Sequence, residues 1–159
     1  MLVTLLSAVL LVSLAVLAHT DARTFRLPDA LTLPLIPAGL ISNILIFDRL
    51  WPALIGAALG YLGLVALELG YRRLRGRDGL GRGDAKLLAA GGAWCGALAL
   101  PFILLVASLG ALLFTFTMAA IRRKMPDATT RLAFGPWLAF GIALIWLMRA
   151  YWPDASLIF

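Results

Sequence analysis

Six apolar stretches follow one another along this chain, separated by short polar joints. Such stretches cannot all be buried in one small soluble core, so the chain must place its helices in lipid. A bilayer core of about 30 Å calls for about 20 apolar residues per helix. The first stretch covers about residues 2–20, the second 30–47, the third 51–71, the fifth 102–121 and the sixth 134–150. The fourth, about 84–98, is short for a full crossing and is expected to tilt or to sink toward one face. Pro34 and Pro37 fall in what reads as the opening turns of the second span, where proline is better tolerated. Residues 98–101 make the turn into the fifth.

The expectation is therefore an all-α, polytopic membrane helix bundle of about six transmembrane helices, forming a single membrane-embedded domain over residues 1–159. Composition agrees. Hydrophobic residues make up 62% of the chain and the mean hydropathy is +0.96, whereas soluble domains are about half apolar. The first stretch resembles a signal peptide but lacks a basic start and an Ala-x-Ala exit, so it reads as a helix of the mature protein.

The net charge of +6 would suggest nucleic acid in a soluble protein. In a membrane protein the position of the charges matters more. Twelve of the fourteen basic residues fall in joints on one side of the bundle. Only Arg49 and Arg149 fall on the other. The excess marks the cytoplasmic side, which puts both termini outside and makes Trp146, Tyr151 and Trp152 an outer aromatic anchor. No nucleic-acid partner, cofactor or metal is expected. The single cysteine, Cys95, excludes a disulfide within the chain and reads as a small apolar helix residue. His19 reads as an interfacial side chain close to Asp21.

Two aspartates stand out. Asp21 ends the first span and Asp84 begins the fourth, so both lie at the cytoplasmic edge at one depth. Taken singly, each has an ordinary role. Asp84 suits a helix N-cap, and Asp21 suits an interfacial charge paired with Arg23 or Arg26. As a pair they are what a water-activating aspartic hydrolase needs, because two close carboxylates tend to share one proton. Acidic groups at a membrane boundary are also expensive, which makes a matched pair a site hypothesis.

Other residues carry weaker signals. Gly81 and Gly83 flank Asp84 and leave room for a substrate backbone. Asp29 follows Pro28 and suits the N-cap of the second span. Glu68 is the acidic residue deep in a span and is expected to face the bundle and find a hydrogen bond, or to be protonated. Asp78 and Asp127 balance charge in basic loops. Phe114, Phe116, Trp137 and Phe140 read as lipid-facing or packed.

Four passages resemble the type IV prepilin peptidases, a family of Gly-x-Gly-Asp membrane aspartic proteases. The run from Asp21 to Pro28, with its aspartate seven residues before Pro-Asp, is similar to the first catalytic segment. Residues 31–35 are similar to the entry into the next helix, and Gly81-Arg-Gly-Asp-Ala-Lys-Leu-Leu88 to the second catalytic segment. Phe134-Gly-Pro-Trp137 is similar to the segment before the last helix. The resemblance implies that Asp21 and Asp84 are the catalytic pair. It also implies that the substrates are prepilin or pseudopilin precursors of pilus, type II secretion or competence systems, cut behind a short basic leader at the cytoplasmic face of a bacterial inner membrane. Longer family members carry paired Cys-x-x-Cys elements linked to methylation of the product. This chain has none, so cleavage without methylation is expected. On this reading Asp29, Asp78 or Asp127 offsets repulsion of a basic leader, and residues 72–83 act as a gate. A small proton-coupled transporter, a non-catalytic secretion subunit and a presenilin-like protease are the competing readings.

Overall fold

The structure, a computed structural model, describes residues 1–75, 81–123 and 132–152. Among these residues every regular element is helical. The order is α1 (Leu2–Thr24), α2 (Asp29–Phe47), α3 (Leu50–Arg75), α4 (Arg82–Cys95), a 3₁₀ turn (Ala97–Ala99), α5 (Leu100–Arg122) and α6 (Gly135–Tyr151). α1, α2, α3 and the stretch through α5 are each long and apolar enough to cross a membrane. The protein is an all-α, multi-pass membrane bundle. Most helix ends fall within a few residues of the sequence expectation. The largest shifts are at α1 and α3, which both run about one turn further.

α4 is the centre of the bundle. Its 14 residues span about 21 Å at 1.5 Å per residue, short of a bilayer core. From Leu87 to Cys95 every residue is buried. The composition explains how neighbours come so close. α3 turns a stripe of Ala53, Gly56, Gly60, Leu64 and Glu68 inward, one residue per turn, and α4 meets its glycines with Leu88, Ala89 and Gly92. The backbones of Gly56 and Gly92 touch, and a Cβ on Gly60 would stand 2.6 Å from the Leu88 carbonyl oxygen. Between lipid-embedded helices, where hydrophobic sorting is weak, this close backbone packing is a main source of cohesion.

Pro34 and Pro37 lie inside α2 rather than in its opening turn. Between them the Leu35 carbonyl accepts a hydrogen bond from Trp94 Nε1 on α4 at 2.8 Å, which ties α2 to α4 at this point.

The C-terminal end of α4 is closed by a buried polar lock. The last carbonyls of a helix have no partner within it. Here Asn43 Nδ2 donates to the carbonyls of Ala93 at 2.8 Å and Trp94 at 2.9 Å. Arg149 Nη1 donates to the Trp94 carbonyl at 2.8 Å, and Nη2 to Asn43 Oδ1 at 2.8 Å. The guanidinium also lies 4.2 Å from the Phe47 ring centroid. Its Nε is the one buried side-chain nitrogen or oxygen without a partner among the described residues. A cation at this helix end meets the negative pole of the dipole. Trp146 packs edge-on against Trp94 at 5.0 Å and donates to Ser7 Oγ at 2.9 Å, so α1 joins the same cluster.

This lock corrects two expectations. Arg149 is only 2% exposed and Trp146 is fully buried, so neither belongs to an outer loop or an outer aromatic belt. Their partners lie on α1, α2 and α4, far away in sequence. Tyr151 and Trp152 are exposed. Cys95 is a buried free thiol, as its apolar setting suggested. Phe114 is exposed but rests against Trp137 at 5.5 Å.

Replacing Asn43 by Ala strips partners from Arg149 and from two α4 carbonyls. Thermal or denaturant unfolding in detergent is expected to show a loss of about 1–3 kcal/mol, the usual cost of leaving buried polar groups unsatisfied.

Candidate active site

Helical periodicity carries Asp21 inward. Leu10, Leu14, Leu17 and Asp21 lie on one buried face of α1, spaced at three and four residues. Asp21 is 6% exposed. It stands one turn before the end of α1, where Phe25 takes a left-handed conformation (φ 52°) and donates its N–H to the Asp21 carbonyl at 2.8 Å. The chain then reverses through Leu27 and Pro28 into α2.

The Asp21 carboxylate points at the start of α6. Its Oδ2 accepts the backbone N–H of Gly135 at 3.0 Å. No pairing with Arg23 or Arg26 is needed to hold it. A Cβ on residue 135 would stand 2.6 Å from that oxygen, so a larger residue there would push the Asp21 carboxylate out of this position. Pro136 has no N–H, and Trp137 donates to the Phe134 carbonyl at 3.1 Å.

Asp84 occupies the third position of α4, not the N-cap. Gly81 is the N-cap, in an extended conformation (φ −78°, ψ 137°). The Asp84 N–H donates to the Gly81 carbonyl at 3.0 Å, and the backbone amide of Gly81 holds the Asp84 carboxylate in return. This is the reciprocal logic of a capping box, with the acid at the third position. Gly83 packs on Leu27, whose Cβ would lie 3.1 Å from an added Cβ. The space beside Gly81 is open apart from Asp84 itself.

Asp21 and Asp84 lie on the same side of the bundle, within electrostatic reach of each other. Two helix N-termini, those of α4 and α6, point at the pair. Each carries about +0.5 elementary charge, which favours negative charge at that spot.

Asp29 is not an N-cap either. Pro28 takes that place and makes no side-chain cap. Asp29 sits in the first turn of α2, and both its carboxylate oxygens meet Lys86 Nζ at 2.7 Å. Lys86 is two residues past Asp84, so this ion pair ties the start of α2 to the start of α4. Sequence reasoning passed over Lys86 and Gly135 as individual site residues, although both stand inside motifs it had marked. Glu68 is buried at the inward stripe of α3, on the bundle side as expected. Asp78, Asp127 and the middle of the expected gate, residues 76–80, lie outside the described residues. Among the described residues no three His, Cys, Asp or Glu side chains gather to hold a metal ion.

Comparison with known proteins bears on this arrangement. A sequence profile of the type IV leader peptidase family matches residues 8–116. Three curated relatives are each called "Prepilin leader peptidase/N-methyltransferase". The one from Dickeya chrysanthemi is 48% identical over 129 residues, covering 80% of this chain and 45% of the relative. That from Pectobacterium carotovorum subsp. carotovorum is 43% identical over 144 residues, covering 90% and 51%. That from Escherichia coli (strain K12) is 46% identical over 127 residues, covering 79% and 55%. The chain spans about half the length of these relatives. No solved structure matches it.

The Asp29–Lys86 pair is partly solvated, its side chains 57% and 26% exposed respectively. A double-mutant cycle on Asp29→Ala and Lys86→Ala, read by unfolding in detergent, is expected to give a coupling of about 1 kcal/mol or less. High salt should weaken it further.

Proposed function

This chain belongs to the type IV leader peptidase family, and on that premise we propose that it is an aspartic endopeptidase with Asp21 and Asp84 as its catalytic pair. The proposed substrates are type IV prepilin or pseudopilin precursors, cut behind a short basic leader at the cytoplasmic membrane face. The observation that carries this reading is that the two carboxylates stand within electrostatic reach of each other. They come from different helices, remote in sequence, and each is held by a backbone amide. A pair that merely capped helix ends would have no reason to converge.

The chemistry follows from the pair. With one proton shared between two carboxylates, the ionised member takes a proton from a water molecule. The resulting hydroxide adds to the carbonyl carbon of the scissile peptide. The protonated member hydrogen-bonds the carbonyl oxygen as charge develops there. Collapse of the tetrahedral intermediate breaks the C–N bond, and a proton passes to the leaving amine. No bond to the enzyme forms. The positive poles of α4 and α6 supply about one unit of charge in total, which suits a pair carrying one net negative charge.

The setting suits a substrate that is itself a membrane helix. Amides inside a helix are already hydrogen-bonded, whereas those at its ends are free to open. Arg23 and Arg26 beyond Asp21, Arg72 and Arg73 near the end of α3, and Arg82 beside Asp84 are exposed. By the positive-inside rule the end that carries the site faces the cytoplasm and both termini face outward. With Arg149 buried, Arg49 is the basic residue left at the opposite end, which sharpens the asymmetry. We place the protein in a bacterial inner membrane, as one membrane-embedded peptidase domain over residues 1–159. Asp29 is neutralised by Lys86, which weakens its candidacy as a receptor for a basic leader. Gly81 and Gly83 serve as loop support, and the open side of Gly81 is where a substrate backbone has room. The proposal covers peptide cleavage and not methyl transfer.

Cleavage of a prepilin-like substrate in liposomes tests the reading. Asp21→Asn and Asp84→Asn are each expected to lower the rate about a thousandfold or more, with both variants folded. Full activity in either variant would remove that residue from the mechanism and restore the transporter and scaffold readings.

A further inference from the structure

We propose that the backbone N–H of Gly135 positions Asp21 for the reaction, which makes the Phe134-Gly135-Pro136 turn a third part of the active site. The inference rests on the dyad reading above and extends it to a group with no side chain.

Three observations converge on this turn. The first is the hydrogen bond itself, 3.0 Å from the Gly135 N–H to Asp21 Oδ2, joining groups that are both buried. The second is the supply of donors. A helix start leaves its first N–H groups without partners. At α6, Pro136 has none to offer, and the N–H groups of Trp137 and Leu138 are both taken by the Phe134 carbonyl, each at 3.1 Å. Gly135 is left as the donor of this turn, and it is spent on Asp21. The third is steric. A Cβ on residue 135 would stand 2.6 Å from Oδ2, 2.8 Å from Cγ and 3.1 Å from Cβ of Asp21. The helix start therefore fits around the carboxylate like a seat, and any larger residue would displace it.

The consequence is geometric. A carboxylate on a free side chain samples several rotamers. One oxygen fixed on a helix-start amide holds the other in a defined direction. Asp84 on α4 stands within electrostatic reach of Asp21, so the Gly135 amide, by fixing one Asp21 oxygen, also limits the directions in which that carboxylate can face Asp84. Gly135 is a positioning residue here. It touches Asp21 and not the substrate.

Two variants test this. Gly135→Ala is expected to lower kcat at least tenfold, to leave KM within about twofold, and to displace the pH–rate profile. Gly141→Ala is the control. It crowds the same helix, because its Cβ would stand 2.8 Å from the Ile103 carbonyl oxygen, but it lies away from Asp21. It is expected to lower stability without moving the pH–rate profile. The second variant replaces Gly135 by glycolic acid through nonsense suppression. This turns the N–H into an ester oxygen and adds no atom. It decides the matter alone if Gly135→Ala does not fold, and the same fall in kcat and displaced profile are expected. A folded glycolic acid variant with the parent's kcat and pH–rate profile would overturn the proposal. Asp21→Asn run in parallel separates the two levels. If it is inactive while the glycolic acid variant behaves like the parent, only the role of Gly135 falls. If it retains activity, the dyad reading itself fails.

Discussion

A 14-residue helix at the centre of a membrane bundle is the constraint on which the rest of the structure depends. α4 falls about 9 Å short of a bilayer core, so its buried C-terminal end must be satisfied by protein rather than by water or headgroups. The C-terminal end is met by Asn43 and Arg149, which take the Ala93 and Trp94 carbonyls. The N-terminal end is met by Gly81 and Asp84, which exchange hydrogen bonds. Between them, α3 presses its glycines against the α4 backbone. A helix pinned in this manner has little freedom to slide, and the depth of Asp84 is set by contacts at its far end.

The candidate site is built from helix ends. α1 contributes its last buried position, α4 its first turn and α6 its first amide. Helix ends carry the unsatisfied groups and the dipole charge of the backbone, so three of them can hold two acidic side chains in an otherwise apolar protein. Here α1 brings the acid and α6 brings the donor. This division explains why glycine at residue 135 leaves the Asp21 carboxylate in place and why Pro136 is harmless directly behind it, at a position with no donor to lose.

Much of this was legible beforehand. Hydropathy located all six helices, because apolar length is a one-dimensional property. Asp21 near the end of α1 and Asp84 in the first turn of α4 fall where the span boundaries put them, since each is tied to the end of an apolar stretch. What escaped were features defined by a partner. Arg149 was counted by position as an outer-loop charge, yet it is buried against Asn43 and Trp94. Asn43, a polar residue deep in an apolar span, was the available signal, since such residues usually pair within the bundle. Trp146 near a span end resembled an interfacial anchor, but Trp94 and Ser7 claim it. Asp29 and Asp84 both read as N-caps from their neighbours, and both lie inside the first turn, where Lys86 and Gly81 answer them. Gly135 has no side chain to attract notice, and its part becomes visible only when Asp21 is seen against it.

The most direct test of the central claim is a titration of the two carboxylates by carboxyl carbon NMR on aspartate-labelled protein, repeated in the Asp21→Asn variant. Coupled groups titrate as a pair, in steps that belong to both. We expect the Asp84 signal to titrate at a clearly different pH once Asp21 has lost its charge. An Asp84 titration that stays the same with and without Asp21 would show two independent carboxyl groups and contradict a shared site.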